Sequence, residues 1–323
     1  MTRVAAVDCG TNSIRLLVAD VTVSDSASGA GATGELTDLD RRMTIVRLGQ
    51  GVDRTGRLAP EALERTFAAC REYAAVIKEL GAEKVRFVAT SASRDASNRD
   101  DFVRGVLDIL GVEPEVISGD EEAQLSFAGA ASAQREHGDA RPVRTLVFDV
   151  GGGSTEFVLG SQSAAGATVD AARSVDIGCV RLTERHGLTG EPLTDEQIAA
   201  VRADIGQALD AAAGAVPLTE ADVYIGLAGT VTTLAGIALE LPEYDSAAIH
   251  RSVLTYDQVK AVTHRLIHAT HDERAAIPVM HPGRVDVICA GALIVLAIME
   301  RTGARELLVS EHDILDGIAL SVA

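Results

Sequence analysis

The chain has 323 residues, a formal net charge of -18, 47% hydrophobic and 3% aromatic residues, and no Trp. That length suits two domains of ordinary size, with a core built from Ala, Val, Leu and Ile. The acidic balance, without a basic run or an interleaved aromatic platform, excludes a general nucleic-acid binder, and the longest apolar run, residues 285–299 broken by Asp286, is too short to span a bilayer and reads as a buried helix.

In chain order, residues 4–8 and 13–20 predict two strands, and residues 43–48 a third that closes a meander. Residues 60–80 predict a helix. Leu63, Phe67, Cys70, Ala74 and Ile77 step by four and three along one face, Pro60 suits the first turn and Gly81 the stop. A strand at 85–89 leads into Thr90-Ser91-Ala92-Ser93-Arg94, and a helix follows at 100–110. A short strand at 115–117 ends at Ser118-Gly119-Asp120-Glu121-Glu122-Ala123, which opens a helix to residue 135. Residues 137–142 read as a loop.

The second half repeats the plan. Strands are predicted at 145–150, 155–159 and 171–177, and a helix at 195–213 capped by Thr194. A strand at 223–226 runs into the glycine turn 226–233, which opens another helix. Helices at 256–269 and 284–302, a strand at 306–309 and a helix at 314–321 complete the chain. Three strands followed by alternating helix and strand, twice over, make an α/β architecture. Ligands are expected at the carboxyl ends of strands, between the halves.

The stretch Phe148-Asp149-Val150-Gly151-Gly152-Gly153-Ser154-Thr155-Glu156 organises the chemistry. It reads as strand, glycine turn, strand, and lacks the strand–turn–helix of a dinucleotide fingerprint. Successive N–H groups in such a turn can form an anion-binding nest. Asp149 and Glu156 flank it, placed to hold a hard cation beside the anion. An oxyanion with a cation suggests phosphate with magnesium. Asp8-Cys9-Gly10-Thr11-Asn12-Ser13-Ile14-Arg15 repeats the pattern: Gly10 falls on Gly151, Ser13 on Ser154 and Arg15 on Glu156. Gly/Ser/Ala-rich stretches at 24–34 and 161–167 read as hairpin loops. Two copies in register indicate an internal duplication.

Two glycine hairpins on Asp, a third glycine turn and the duplication resemble the actin-like ATPase superfamily. Four stretches narrow the resemblance: residues 8–18, 89–94, 117–123 and 148–156. In order along the chain, they look like the signatures of the exopolyphosphatase/guanosine pentaphosphate phosphohydrolase family. The resemblance implies two duplicated actin-like, ribonuclease H-like domains, at residues 1–124 and 125–323, with a cleft between them and the last helix free to pack back on the first. The chain resembles the short two-domain form. The resemblance makes Glu121 the catalytic base, and Asp149 and Glu156 the magnesium ligands, another divalent cation being the alternative. Asp8 is a further metal candidate, or a turn cap. Arg94, Asn12, Ser13 and the turn Gly151, Gly152, Gly153, Ser154, extended to Thr155, would bind phosphate. Which of Asp120, Glu121 and Glu122 faces the substrate rests on the motif alone.

The implied activity is release of terminal orthophosphate from linear inorganic polyphosphate. The alternatives are a guanosine pentaphosphate 5′-phosphohydrolase, a general nucleotide phosphatase, or a non-enzymatic nucleotide-sensing regulator. No nucleic acid or membrane partner is expected, and a homodimer is left open. Cys9, Cys70, Cys179 and Cys289 form no CxxC, which suggests reduced thiols in a cytoplasmic protein; the early first strand suggests no leader. His264, His268 and His271 fall on one helical face without HExxH and read as a solvated face. Ser310, His312 and Asp313 lie too close in sequence for a nucleophile triad.

Overall fold

Alternation along the first strand, β1 (Thr2–Cys9), decides the layers of its sheet. Ala5, Val7 and Cys9 point to one face; Val4, Ala6 and Asp8 point to the other. The computed structural model describes residues 1–24, 33–132, 143–163, 166–189 and 191–322. Strand β2 (Ser13–Ser24) runs antiparallel to β1, with Arg15 opposite Asp8, and β3 (Thr33–Ile45) runs antiparallel to β2. The third strand is therefore much longer than 43–48. Its early part carries Glu35, Asp38, Asp40, Arg41 and Arg42, charges that blunt an edge strand against pairing with another chain and hide it from an apolar pattern.

Helices α1 (Val52–Thr55) and α2 (Pro60–Leu80) lead to β4 (Lys84–Ala89). Helices α3 (Ser91–Asp95) and α4 (Arg99–Leu110), the two-residue strand β5 (Glu115–Val116) and α5 (Gly119–Ser132) follow. The sheet order is β3-β2-β1-β4-β5, with β1, β4 and β5 parallel.

The second sheet repeats this order. Strands β6 (Val143–Val150), β7 (Thr155–Ser163) and β8 (Gly166–Val175) come first, then α6 (Cys179–His186) and α7 (Asp195–Ala213). Strand β9 (Val223–Leu227) enters α8 (Ala228–Ala238), followed by α9 (Ser246–Ile249), β10 (Val253–Thr255), α10 (Tyr256–His268) and α11 (His271–Ala275). A 3-10 turn at Pro282–Arg284 precedes α12 (Ile288–Thr302), β11 (Glu306–Val309) and α13 (Ile314–Val322). The order β8-β7-β6-β9-β11 matches β3-β2-β1-β4-β5, with β10 added beyond β11. The duplication seen in the two hairpin sequences is thus a duplication of topology.

The chain forms two units: Met1–Pro142 with Gln162–Thr168 and His312–Ala323, and Val143–Ser161 with Val169–Glu311. Helix α5 crosses residues 124/125, and α13 belongs to the first unit. There, Val4, Ala6, Leu17 and Ala19 pack on Leu125 of α5 and on Ile314 and Ile318 of α13. The opposite face of the sheet packs on Tyr73 of α2 and Phe102 of α4. Residues 25–32, 137–142 and 164–165, within the expected loops, lie outside the described residues. Among the described residues, no helix is long and apolar enough to cross a membrane.

Candidate active site

The turn between β6 and β7 is closed by the Gly151 N–H donating to the Ser154 carbonyl at 3.1 Å; between β1 and β2, Gly10 donates to Ser13 at 2.9 Å. What fixes the second-unit turn is α6, a helix absent from the sequence reading. The N–H of Cys179 reaches the Gly151 carbonyl at 3.0 Å, and those of Val180 and Arg181 reach the Gly152 carbonyl at 2.9 and 3.0 Å. Arg181 Nε donates to the Gly153 carbonyl at 2.6 Å. Three successive carbonyls therefore point toward α6. In a trans peptide, N–H and C=O point in opposite directions. The N–H groups of Gly152, Gly153 and Ser154 are consequently turned to the other side, as an anion nest requires. Gly178 allows the close approach: a Cβ there would lie 2.4 Å from the Gly152 carbonyl carbon and oxygen.

The first copy uses the same device. Gly49 donates to the Thr11 carbonyl at 2.9 Å, and Val46 and Arg47 donate to the Asn12 carbonyl at 3.1 and 2.8 Å. This turns the N–H groups of Asn12 and Ser13 away. A Cβ on Gly49 would meet Thr11 Cγ2 at 2.2 Å.

Strand parity places the second-unit carboxylates. Leu146, Phe148 and Val150 of β6 and Phe157 and Leu159 of β7 face the core, so Asp149 and Glu156 share the opposite face. Both are buried, at 7% and 1% exposure, and Ser174 Oγ donates to Glu156 Oε1 at 2.7 Å. Thr155 differs from the expectation. Its buried hydroxyl donates to the Ile177 carbonyl at 2.7 Å, so that side chain is committed to the fold.

In the first unit Asp8 is already half neutralised. Arg15 donates to Asp8 Oδ2 from Nε at 3.0 Å and Nη2 at 2.6 Å, and its Nη1 pairs with Asp313, the residue before α13. Asp8 Oδ1 is buried without a hydrogen-bond partner. Burial pushes the Asp8 carboxyl up, and Arg15 pulls against it. As a metal ligand Asp8 could offer only this second oxygen.

The two adjacent glutamates of α5 separate clearly. Glu121 is half-buried, and Arg86 Nη2 donates to its Oε1 at 2.8 Å. Glu122 is the buried one; Arg94 Nη1 donates to Glu122 Oε2 and to the Ile117 carbonyl, both at 3.1 Å. Arg94 thus pairs with neither Asp95 nor Asp120 in these bonds. The residue brought to the candidate phosphate ligand is Glu122.

At the third glycine turn, Arg284 Nη1 donates to the Gly229 carbonyl at 2.6 Å and to Thr233 Oγ1 at 2.9 Å. Tyr244, beyond the turn in sequence, sets its hydroxyl on Thr232 Oγ1 at 2.8 Å and Glu311 Oε1 at 2.6 Å, and the residue is 43% exposed.

A magnesium ion fits the donor set at Asp149 and Glu156. Magnesium keeps several waters and is commonly held by one or two carboxylates plus substrate phosphates, so a dedicated protein cage is unnecessary. Among the described residues, no cluster of three or more His, Cys, Asp or Glu could hold an ion unaided.

The sequence pattern of the Ppx/GppA phosphatase family matches residues 22–323. The chain belongs to the Ppx/GppA phosphatase family. It is 51% identical to Exopolyphosphatase 2 of Mycobacterium tuberculosis, over all of this chain and 99% of that one. Its fold superposes on the crystal structure of an exopolyphosphatase-like protein with a TM-score of 0.90 at 40% identity, covering 99% of this chain and 98% of the other. An Aquifex aeolicus PPX-GPPA enzyme gives 0.77 at 31% identity, with 99% of both chains covered. The α/β, two-domain actin-like fold expected from the duplicated hairpins is therefore that of the Ppx/GppA family.

His271 opens α11, so it does not share the α10 face; His264 and His268 stack with ring centroids 4.1 Å apart, and His271 pairs with Asp286 at 3.4 Å. All four cysteines are buried, and burial pushes the Cys9 thiol well above its ordinary range. Arg181 and Gly178 escaped the sequence reading. Gly178 and Gly187 bracketing eight residues were the available signal for α6.

Proposed function

We infer that this member of the Ppx/GppA family is an exopolyphosphatase that removes the terminal phosphoryl group of linear polyphosphate. The observation that carries the phosphate reading is the glycine turn whose three carbonyls are drawn to α6, which leaves three N–H groups for an oxyanion. The choice of polyphosphate is supported by the full-length similarity to Exopolyphosphatase 2.

In the proposed reaction, Gly152, Gly153 and Ser154 bind the terminal phosphoryl through their N–H groups, and within the first unit Asn12, Ser13 and the guanidinium of Arg94 are the phosphate-binding groups. Water attacks phosphorus, the bridging P–O bond breaks, and orthophosphate leaves a chain one unit shorter. Glu122 accepts the proton from the water. It takes the role that the motif gave to Glu121, because it is the glutamate held on Arg94, the candidate phosphate ligand, while Glu121 is held on Arg86. Asp149 and Glu156 are the carboxylates for magnesium, which neutralises charge on phosphoryl oxygens when bound.

The second reading, guanosine pentaphosphate 5′-phosphohydrolase, draws support from one observation. The sequence shows no stacking aromatic at the third glycine turn, but the fold brings Tyr244, a partly exposed residue, there. Orthophosphate release from chain-length-resolved polyphosphate, with and without magnesium, tests the main reading. Metal-dependent release one unit at a time is expected; no release overturns it.

A further inference from the structure

The turn's three carbonyls are not held in the same way. Those of Gly151 and Gly152 are taken by backbone N–H groups, which no side-chain change short of proline removes. The Gly153 carbonyl is taken by a side chain, Arg181 Nε at 2.6 Å. In the first-unit turn the Thr11 and Asn12 carbonyls accept backbone N–H groups, those of Gly49, Val46 and Arg47. We propose that Arg181 is a positioning residue, whose task is to fix the peptide between Gly153 and Ser154 so that the Ser154 N–H faces the bound phosphate. This rests on the reading of the turn as the phosphate site.

The physical argument concerns a peptide flip. Glycine has no Cβ to restrict the backbone on either side, so the Gly153–Ser154 peptide can rotate between its neighbours. Rotated by half a turn, it would exchange a donor facing the oxyanion for a carbonyl oxygen facing it. A charge-assisted bond from a guanidinium is stronger than a neutral one, and opposes that rotation. The Arg181 side chain is only 12% exposed and its backbone N–H is itself bound to Gly152, so both ends of the residue are fixed to the turn.

The test uses inorganic phosphate as the probe, in the presence of magnesium, on protein labelled with 15N-glycine and 15N-serine. In the parent protein the amide signals of Gly153 and Ser154 are expected to move on titration. In Arg181→Met, which keeps the stem but no donor, phosphate affinity is expected to fall about tenfold, with loss of the Ser154 response. The KM for polyphosphate should rise in proportion while kcat stays within about threefold, the signature of lost uniform binding. Arg181→Lys, retaining a donor, should recover part of the affinity. Affinity in Arg181→Met within twofold of the parent overturns the proposal and leaves the phosphate site standing. No response of the parent's turn amides to phosphate overturns the site itself, and this proposal with it. If Arg181→Met does not fold by circular dichroism, the Arg181 Nε–H of the parent decides. Protection from solvent exchange supports its bond to Gly153, and rapid exchange overturns it.

Discussion

Glu122 Oε2 accepts a hydrogen bond from Arg94 Nη1 at 3.1 Å, while Glu121, its neighbour in the chain, is held on Arg86. Successive helical residues differ by about 100° in direction, so adjacent glutamates cannot serve one site equally. Glu122→Gln is expected to lower kcat by about 10²–10⁴-fold, the usual worth of general-base assistance, and Glu121→Gln by far less. Single-turnover phosphate release on both variants checks this. The reverse ranking would return the role to Glu121.

Gly178→Ala should damage the turn from outside it. Its Cβ would sit 2.4 Å from Gly152 backbone atoms that cannot move without moving the nest. A loss of about 1–3 kcal/mol, as for other overpacked sites, is expected, together with weakened phosphate binding. Gly206→Ala in α7, where nothing lies within 4 Å, is the control; it should gain about 0.5–1 kcal/mol from helix propensity and leave phosphate binding unchanged. Urea unfolding and calorimetric phosphate titration measure both.

Asp149→Asn and Glu156→Gln should each raise the magnesium concentration needed for activity, because a hard cation prefers carboxylate oxygen. Calorimetric magnesium titration in the presence of phosphate reads the affinity directly. Unchanged affinity in both variants removes the metal assignment.

His281 supplies a pH dependence. Burial, and then the nearby Arg284, hold its imidazole below the ordinary 6.5. Its Nδ1 accepts the Gly283 N–H at 3.0 Å, a bond that only the unprotonated nitrogen can accept. With the folded value lowered, the stabilisation is fully present above the unfolded value of 6.5 and is lost as pH falls through the folded value. The His281 ring should therefore titrate below 6.5 by NMR. His281→Asn, which still caps the turn, should flatten this part of the stability profile. Titration at or above 6.5 contradicts the assignment.

Much of the fold was legible because local chemistry agreed with it. Pro60 and Gly81 bound α2 as expected; Gly81 is left-handed, with its N–H on the Ile77 carbonyl. Thr194 caps α7 through a reciprocal bond pair with Gln197, which fixed that helix's start. Strand β3 was cut short because its edge position favours charge over an apolar run. Helix α6 was lost because eight residues give too little periodicity to register.

The site was legible as a set of residues and illegible as a set of directions. Asp149 and Glu156 share a sheet face by strand parity, which period two reveals in advance. The orientation of Glu122 depends on where α5 begins. The commitment of the Thr155 hydroxyl to Ile177, and of Asp8 Oδ2 to Arg15, depends on contacts that no motif records. Arg181 gained its place only once α6 packed on the turn.

The central claim is tested most directly by competition between chain-length-resolved polyphosphate and guanosine pentaphosphate at equal terminal-phosphate concentration, with kcat/KM measured for each. A higher value for polyphosphate is predicted from the full-length similarity to Exopolyphosphatase 2, because the turn, Arg94 and the carboxylates engage only a phosphoryl group and its cation and do not separate the two substrates. A higher value for guanosine pentaphosphate would contradict the account and assign Tyr244 a base to recognise.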